Sequence, residues 1–178
     1  MSILLRRARP TDLDAIMGLE RATFVTDAWP VDAMRRELEA THTYYLVAVD
    51  DTHPDVVIGY AGLLAPTGSG QGDIQTIAVD EAHRGKGLGR TLMHALIAEA
   101  RRRSAAELFL EVRADNPVAQ ALYESLGFTS IGVRPSPLPR CASPTAMVWM
   151  SPCPEPAGAR SPAYPITTSG CVSSTATR

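Results

Sequence analysis

The residues most able to do chemistry lie near the middle of the 178-residue chain. Arg84-Gly85-Lys86-Gly87-Leu88-Gly89-Arg90 sets three glycines at alternate positions among three cations. Between a strand and a helix, such a loop lets backbone N–H groups converge at the helix N-terminus and cradle a phosphate. Glycines admit the anion without a Cβ in the way, and Arg84, Lys86 and Arg90 add fixed positive charge. A tight turn with solvated charges explains the same residues. The loop lacks the Gly-Lys-Ser/Thr ending of a Walker A motif, and its third glycine comes one residue too early for the dinucleotide fingerprint.

Glu111, Asn116 and Tyr123 come next along the chain. In Leu108-Phe109-Leu110-Glu111-Val112, strand alternation sets Glu111 opposite Leu110 and Val112, and a carboxylate in an apolar run needs either a partner or a task. It reads equally as a general base or as one half of an ion pair with Arg113 or another cation. Tyr123 comes seven residues after Asn116, so both project from nearly one helix face; its phenol can donate a proton, although on pattern alone it is a core tyrosine. Asn116 before Pro117 is a helix cap. Asp73 lies just before the strand-like run from Ile74. Cys141, Cys153 and Cys171 all fall in the last quarter of the chain, and His42, His53, His83 and His94 are scattered, so neither a disulfide framework nor a metal site is expected.

Elements that position these residues are legible on both sides. Ile3 to Ala8 reads as a strand, with Thr11 able to cap a helix carrying Leu13, Ile16, Met17 and Glu20. Pro30 opens a shorter helix with Met34 and Leu38 on one face, leaving Phe24 and Trp29 in the connection, where exposed aromatics can line a cleft. Tyr44 to Val49, Val56 to Leu64 and Ile74 to Val79 read as an antiparallel meander. Leu88, Leu92, Met93, Leu96, Ile97 and Ala100 recur at helical spacing, and Arg101-Arg102-Arg103 ends that helix with favourable charge. Leu108 to Val112 is a buried strand, and Asn116-Pro117 opens a helix that stops at Gly127. Strand, helix, strand, helix marks an α/β layer.

A hydrophobic fraction of 45% with 20% charged residues describes an ordinary globular chain. Residues 1–150 are expected to form one domain, and residues 151–178, rich in Pro, Ser and Thr, a disordered tail. No apolar run approaches the roughly 20 residues needed to span a bilayer, and no signal peptide is evident, so a cytoplasmic protein with no membrane partner is expected. A formal charge of -2 gives no general attraction to nucleic acid. Nothing in the sequence marks an oligomer interface.

Ile77-Ala78-Val79, the Arg84 to Arg90 loop, Asn116 and Ala121-Leu122-Tyr123-Glu124-Ser125-Leu126-Gly127-Phe128, taken in this order and spacing, resemble the GNAT acetyltransferases, whose pyrophosphate loop reads Gln/Arg-x-x-Gly-x-Gly/Ala. Leu110-Glu111-Val112-Arg113 and the block from Asn116 to Phe128 are similar to the RimI branch, the ribosomal-protein alanine N-terminal acetyltransferases. The resemblance implies an α/β (α+β) fold: a mixed, mostly antiparallel sheet flanked by helices and splayed at the acetyl-CoA site, between the strand ending at Val79 and the one starting at Leu108. It also implies that Ile77, Ala78 and Val79 pair with pantetheine. Arg84, Gly85, Lys86, Gly87, Leu88, Gly89 and Arg90 would hold the pyrophosphate, and Asn116 would touch the same cosubstrate. Glu111 would be the base and Tyr123 the acid in acetyl transfer to a protein N-terminus, that of a ribosomal protein being the natural candidate. Its match to an α-amine is also chemical: such an amine titrates near 7.7–8.0 and lysine near 10.4, so a modest base suits the former.

The sequence departs from this pattern at Arg134-Pro135-Ser136-Pro137-Leu138-Pro139-Arg140-Cys141, where RimI-like chains carry an arginine and a tyrosine-rich segment. Alternating prolines cannot donate ladder hydrogen bonds, so the hairpin beside the acceptor groove is expected to be altered or lost. Ala146 to Met150 regains a strand pattern, which raises the hypothesis of a reading-frame disturbance between Pro135 and Thr145; translating the coding DNA in its other frames tests it. Three other functions compete: acetylation of a lysine or small-molecule amine, a non-catalytic acyl-CoA-binding module, and a nicotinamide-dependent oxidoreductase with Glu111 as the ribose-binding acid. Glycine spacing and the antiparallel strands before the loop oppose the last.

Overall fold

A computed structural model describes residues 3–135 and 145–152. In chain order the elements are β1 (Ile3–Arg7), α1 (Leu13–Thr23), α2 (Val31–Glu39), β2 (Thr43–Asp50), β3 (His53–Leu64), β4 (Gln71–Val79), α3 (Leu88–Arg102), β5 (Glu107–Arg113), α4 (Pro117–Ser125), β6 (Thr129–Pro135) and β7 (Thr145–Pro152). The strands form one sheet in the order β1-β2-β3-β4-β5-β7-β6. Only β4 and β5 run parallel, because α3 carries the chain back over the sheet between them; every other neighbouring pair is antiparallel.

Both faces of the sheet are covered. On one, Leu92, Met93 and Leu96 of α3 pack with Leu46, Leu63, Leu108, Leu110, Tyr123 and Phe128. On the other, Ile16 and Met17 of α1 and Met34 of α2 pack with Tyr45, Val47, Tyr60 and Ala78. Thr11 does not cap α1: Pro10–Asp12 forms a 3-10 turn first, and Asp12 instead accepts hydrogen bonds from the Arg9 N–H (2.7 Å) and the Arg6 guanidinium (2.7 and 2.8 Å). Phe24 and Trp29 are half-buried against the α1/α2 side of the core, the common place for aromatics between two helices.

A single irregularity shapes the middle of the sheet. Across β3 and β4, Gly62 pairs with Thr76 but Leu63 pairs with Ile74, so Gln75 is an extra residue, a bulge. It inverts the facing of β4: Ile74 joins the α3 side of the core, while Thr76 reaches Tyr60 Oη at 3.1 Å and Ala78 packs on the α1/α2 side. Tyr45 Oη donates to Gln75 Oε1 (3.1 Å), and Gln75 Nε2 donates to Glu37 (3.3 Å), which ties the bulge to α2. Gly62 makes room for this: a Cβ there would meet the Tyr45 ring at 2.4 Å.

β6 and β7 pair from Thr129↔Met150 to Pro135↔Thr145, so the hairpin expected to be altered or lost keeps its two strands, while the segment that joins them lies outside the described residues. β6 is an edge strand, so the missing N–H of Pro135 can face away from the ladder. The remaining prolines and the suspected frame disturbance lie outside the described residues, as does the expected disordered tail after β7, which runs to Pro152. Among the described residues no helix is long and apolar enough to cross a membrane.

Candidate active site

The bulge and the end of the β4–β5 ladder coincide. The parallel pairing runs from Gln71↔Glu107 to Ile74↔Leu110 and stops, although β4 continues to Val79 and β5 to Arg113. A bulge sharpens local twist, and here it turns β4 away from β5 one residue after their last pair. The edge of Ile77, Ala78 and Val79 that would meet β5 is therefore outside that ladder, while their other edge pairs with Ala61, Tyr60 and Gly59 of β3. A wedge-shaped gap results in the middle of the sheet.

At the mouth of the gap the chain leaves Val79, makes a 3-10 turn over Glu81–His83, and enters α3 through the glycine loop. Asp80 secures the turn by accepting from Ala82 N–H (3.1 Å) and facing His83 Nδ1 at 2.9 Å; its bond to His83 holds the carboxyl below its ordinary range. Gly85 (φ 72°) and Gly87 (φ 84°) both adopt the left-handed conformation, which explains the glycines directly. Gly87 is the N-cap residue and offers no side chain to the helix start; the first bond back to it comes from Thr91 N–H (3.0 Å). The N–H groups of Leu88, Gly89 and Arg90 thus have no intrahelical acceptor. Apart from the adjoining residues, no described atom lies within 4 Å of where a Cβ would stand on Gly85 or Gly87, so the cradle is open.

Arg84 Nε donates to Val79 O (2.9 Å), Lys86 Nζ to Ala82 O (2.8 Å) and Arg90 to Ser125 Oγ (2.8 Å). These three bonds go to neutral oxygens, so they orient the cations without neutralising them. Open donors at a helix N-terminus, ringed by three cations, fit a pyrophosphate in both shape and charge.

Two candidate proton carriers lie on opposite faces of the sheet. Leu108, Leu110 and Val112 of β5 are buried toward α3 and α4, so Phe109 and Glu111 face the α1/α2 side. Glu111 is exposed, not enclosed as its apolar neighbours suggested, because β5 has lost β4 as a neighbour at that level. The guanidinium of Arg113 reaches Asp115 (2.9 Å) and Asp27 (3.5 Å), and so links β5 to the α1–α2 connection. Tyr123 lies on the other face, buried in the α3/α4 layer with its ring 6.1 Å from that of Phe128; burial pushes its phenol up to about 12. Asn116 caps α4, its Oδ1 accepting from Ala119 N–H at 3.1 Å, which leaves Nδ2 as the side chain's donor.

Residues 13–128 match the model of the acetyltransferase (GNAT) family. The chain belongs to that family. GNAT enzymes take their acetyl group from acetyl-CoA, and this chain is accordingly an acetyltransferase of RimI-like type. It is 40% identical over 126 residues to the N-alpha-acetyltransferase RimI of Mycobacterium tuberculosis, covering 69% of this chain and 76% of that one. It is likewise 40% identical over 136 residues to the uncharacterized Mycobacterium leprae protein ML0378, where the match takes in 75% of this chain but only 36% of the longer relative. The crystal structure of the ribosomal-protein-S18-alanine N-acetyltransferase from Escherichia coli superposes with a TM-score of 0.76 at 26% identity, over 88% of this chain and 97% of that one.

Within this GNAT sheet Ile77 to Val79 and Glu111 lie beyond the last β4–β5 pair, the Arg84 to Arg90 loop follows Val79, and Tyr123 sits in the core layer on the α3/α4 face. Sequence reasoning missed a buried network beside it. Glu20 is fully buried and accepts from the Tyr60 hydroxyl and from Trp29 N–H (2.9 Å), fixing the α1–α2 connection against β3. The signal was present: Glu20 continues the apolar stripe Leu13, Ile16, Met17, so that helix face buries it.

Proposed function

We propose that this chain acetylates the N-terminal α-amine of a protein, of the ribosomal-protein alanine type, by direct transfer from acetyl-CoA through a tetrahedral intermediate. The observation that carries the reading is the β4–β5 gap, with a phosphate cradle at its mouth and candidate acid and base on opposite faces. The M. tuberculosis relative, named an N-alpha-acetyltransferase, and the E. coli one, named a ribosomal-protein-S18-alanine N-acetyltransferase, support the choice of acceptor.

Acetyl-CoA supplies an activated acetyl thioester when bound. Gly85 to Arg90 would hold its pyrophosphate through backbone N–H groups and the cations around them. Ile77, Ala78 and Val79 would pair with the pantetheine arm along the edge that β5 leaves, and an N–H of that edge would stabilise the charge developing on the carbonyl oxygen. Asn116 would add a contact through Nδ2. Glu111 would accept a proton from the attacking amine, and Tyr123 would donate one to the departing sulfur, which its elevated pKa allows throughout the neutral range.

Thiol release from acetyl-CoA with a short alanine-starting peptide, beside the same peptide with a blocked N-terminus, tests this. Turnover confined to the unblocked peptide supports the reading. Turnover with lysine or small amines but neither N-terminus would move the acceptor class while leaving the acetyl-CoA site in place. Loss of acetyl-CoA binding itself, read by calorimetry, would contradict the whole site.

A further inference from the structure

Glu20 is a buried carboxylate that the proposed chemistry does not use. It stands on α1 with its side chain wholly inside the core. Taking a carboxylate out of water is costly, and its oxygens must be met by donors. Two meet it here: Trp29 N–H on Oε1 (2.9 Å) and the Tyr60 hydroxyl on Oε2.

The same residue closes the α1–α2 connection at both ends. At the C-terminus of α1, Glu20 O accepts from Phe24 N–H (2.8 Å). At the other end, its carboxylate holds the N–H of Trp29, the residue before Pro30, which caps α2. Between them, Asp27 N–H turns back onto Phe24 O (3.3 Å). The path of residues 24–29 is thus set by where Glu20 stands, and Tyr60, itself 3.1 Å from the Thr76 hydroxyl, fixes that place against β3 and β4.

This path runs along the side of the sheet that Glu111 faces. Arg113, two residues further along β5 and on the same strand face, reaches Asp27 at 3.5 Å. An amine coming to Glu111 from the α1/α2 side would pass residues 24–29.

We propose that Glu20 is a positioning residue for the acceptor: its carboxylate touches no substrate, but holds residues 24–29 where they border the incoming peptide. The inference rests on Glu111 as the base that meets the acceptor, part of the proposed function. Both partners of the carboxylate are donors, so two acceptor oxygens serve them. A leucine at this position serves neither. A glutamine keeps one oxygen for Trp29 N–H and offers its amide N–H to Tyr60 Oη, whose own proton can turn to Thr76. Phe24 and Trp29 also pack on the core, so loss of the bond frees the backbone of the connection without dismantling the sheet.

Peptide kinetics and amide hydrogen exchange on the full chain, with Glu20→Leu and Glu20→Gln, test the proposal. Glu20→Leu is expected to raise KM for an alanine-starting peptide about tenfold, with kcat and the calorimetric acetyl-CoA Kd within about twofold of wild type, and Glu20→Gln to return KM to within about threefold. Exchange reads the clamp without any acceptor: the Trp29 amide should exchange about tenfold or more faster in Glu20→Leu, while the amides of α3 stay as they are. A Glu20→Leu enzyme with the wild-type KM, its kcat reduced only in proportion to the folded fraction, overturns the proposal. So does a wild-type Trp29 amide that exchanges as freely as in an unfolded peptide, a result that needs no variant to fold. A wild type that acetylates lysine or small amines but no α-amine defeats the proposed acceptor instead; the same KM rise is then expected for that amine, and an unchanged KM overturns the proposal. With no turnover at all, exchange decides alone: an unmoved Trp29 amide overturns the clamp, and faster exchange sustains it.

Discussion

Glu111 and Tyr123 stand on opposite faces of one sheet, and in the proposed mechanism the opening between β4 and β5 lets both address a single thioester. Their substitutions should therefore separate binding from chemistry. Glu111→Gln is expected to lower kcat by about 10²-fold or more with acetyl-CoA Kd unchanged, measured by steady-state kinetics and calorimetry. Equal losses in affinity and rate would mean that the carboxylate holds the loop instead. Tyr123→Phe should also lower kcat without weakening acetyl-CoA. Because burial raises the Tyr123 phenol to about 12, it stays protonated as pH climbs, so no loss of wild-type kcat between pH 7 and 10 should disappear in Tyr123→Phe. A basic limb in that window that vanishes with the hydroxyl would contradict this.

The elements matter through two backbone devices. In the loop before α3, Gly87 sits at φ 84° with no neighbour to clash with, so Gly87→Ala isolates conformational strain. It should cost about 1–2 kcal/mol in urea denaturation and weaken acetyl-CoA binding as the loop relaxes. Gly62→Ala is the opposite case: an unstrained backbone with the Tyr45 ring in the way. It should cost about 1–3 kcal/mol by overpacking and disturb the Gln75 bulge that the Tyr45 hydroxyl supports. The glycine loop was legible in sequence because φ above zero leaves a compositional mark. The bulge was not, since Gln75 looks like any strand residue and only the pairing of Gly62 with Thr76 and Leu63 with Ile74 exposes it. For the same reason the exposure of Glu111 could not be read from its apolar neighbours: it depends on β4 departing, which is a property of two strands together. At Pro135 the proline run did not cost the strand pairing, because Pro135 ends an edge strand where a missing donor does little harm.

For the molecule as a whole, the helices pin the open sheet from both sides. Arg6 and Asp12 join β1 to the start of α1 through two hydrogen bonds, and that contact holds the Asp12 carboxyl below its usual range. A lowered carboxylate pKa adds stability above the unfolded value near 4, and this is lost as pH falls through the folded value. Asp12→Asn should thus destabilise the protein by about 2 kcal/mol at pH 7 and progressively less toward about pH 2, followed by thermal or urea unfolding across that range. The α1–α2 connection depends on the same packing, since Glu20 accepts from Trp29 N–H and Arg113 reaches Asp27. The central claim is that this assembled gap delivers acetyl to an α-amine. Its most direct test is tandem mass spectrometry of the product from a peptide carrying both an N-terminal alanine and an internal lysine. An acetyl group found on the alanine nitrogen alone is the predicted result; acetyl on the lysine side chain, with the N-terminus untouched, would contradict it.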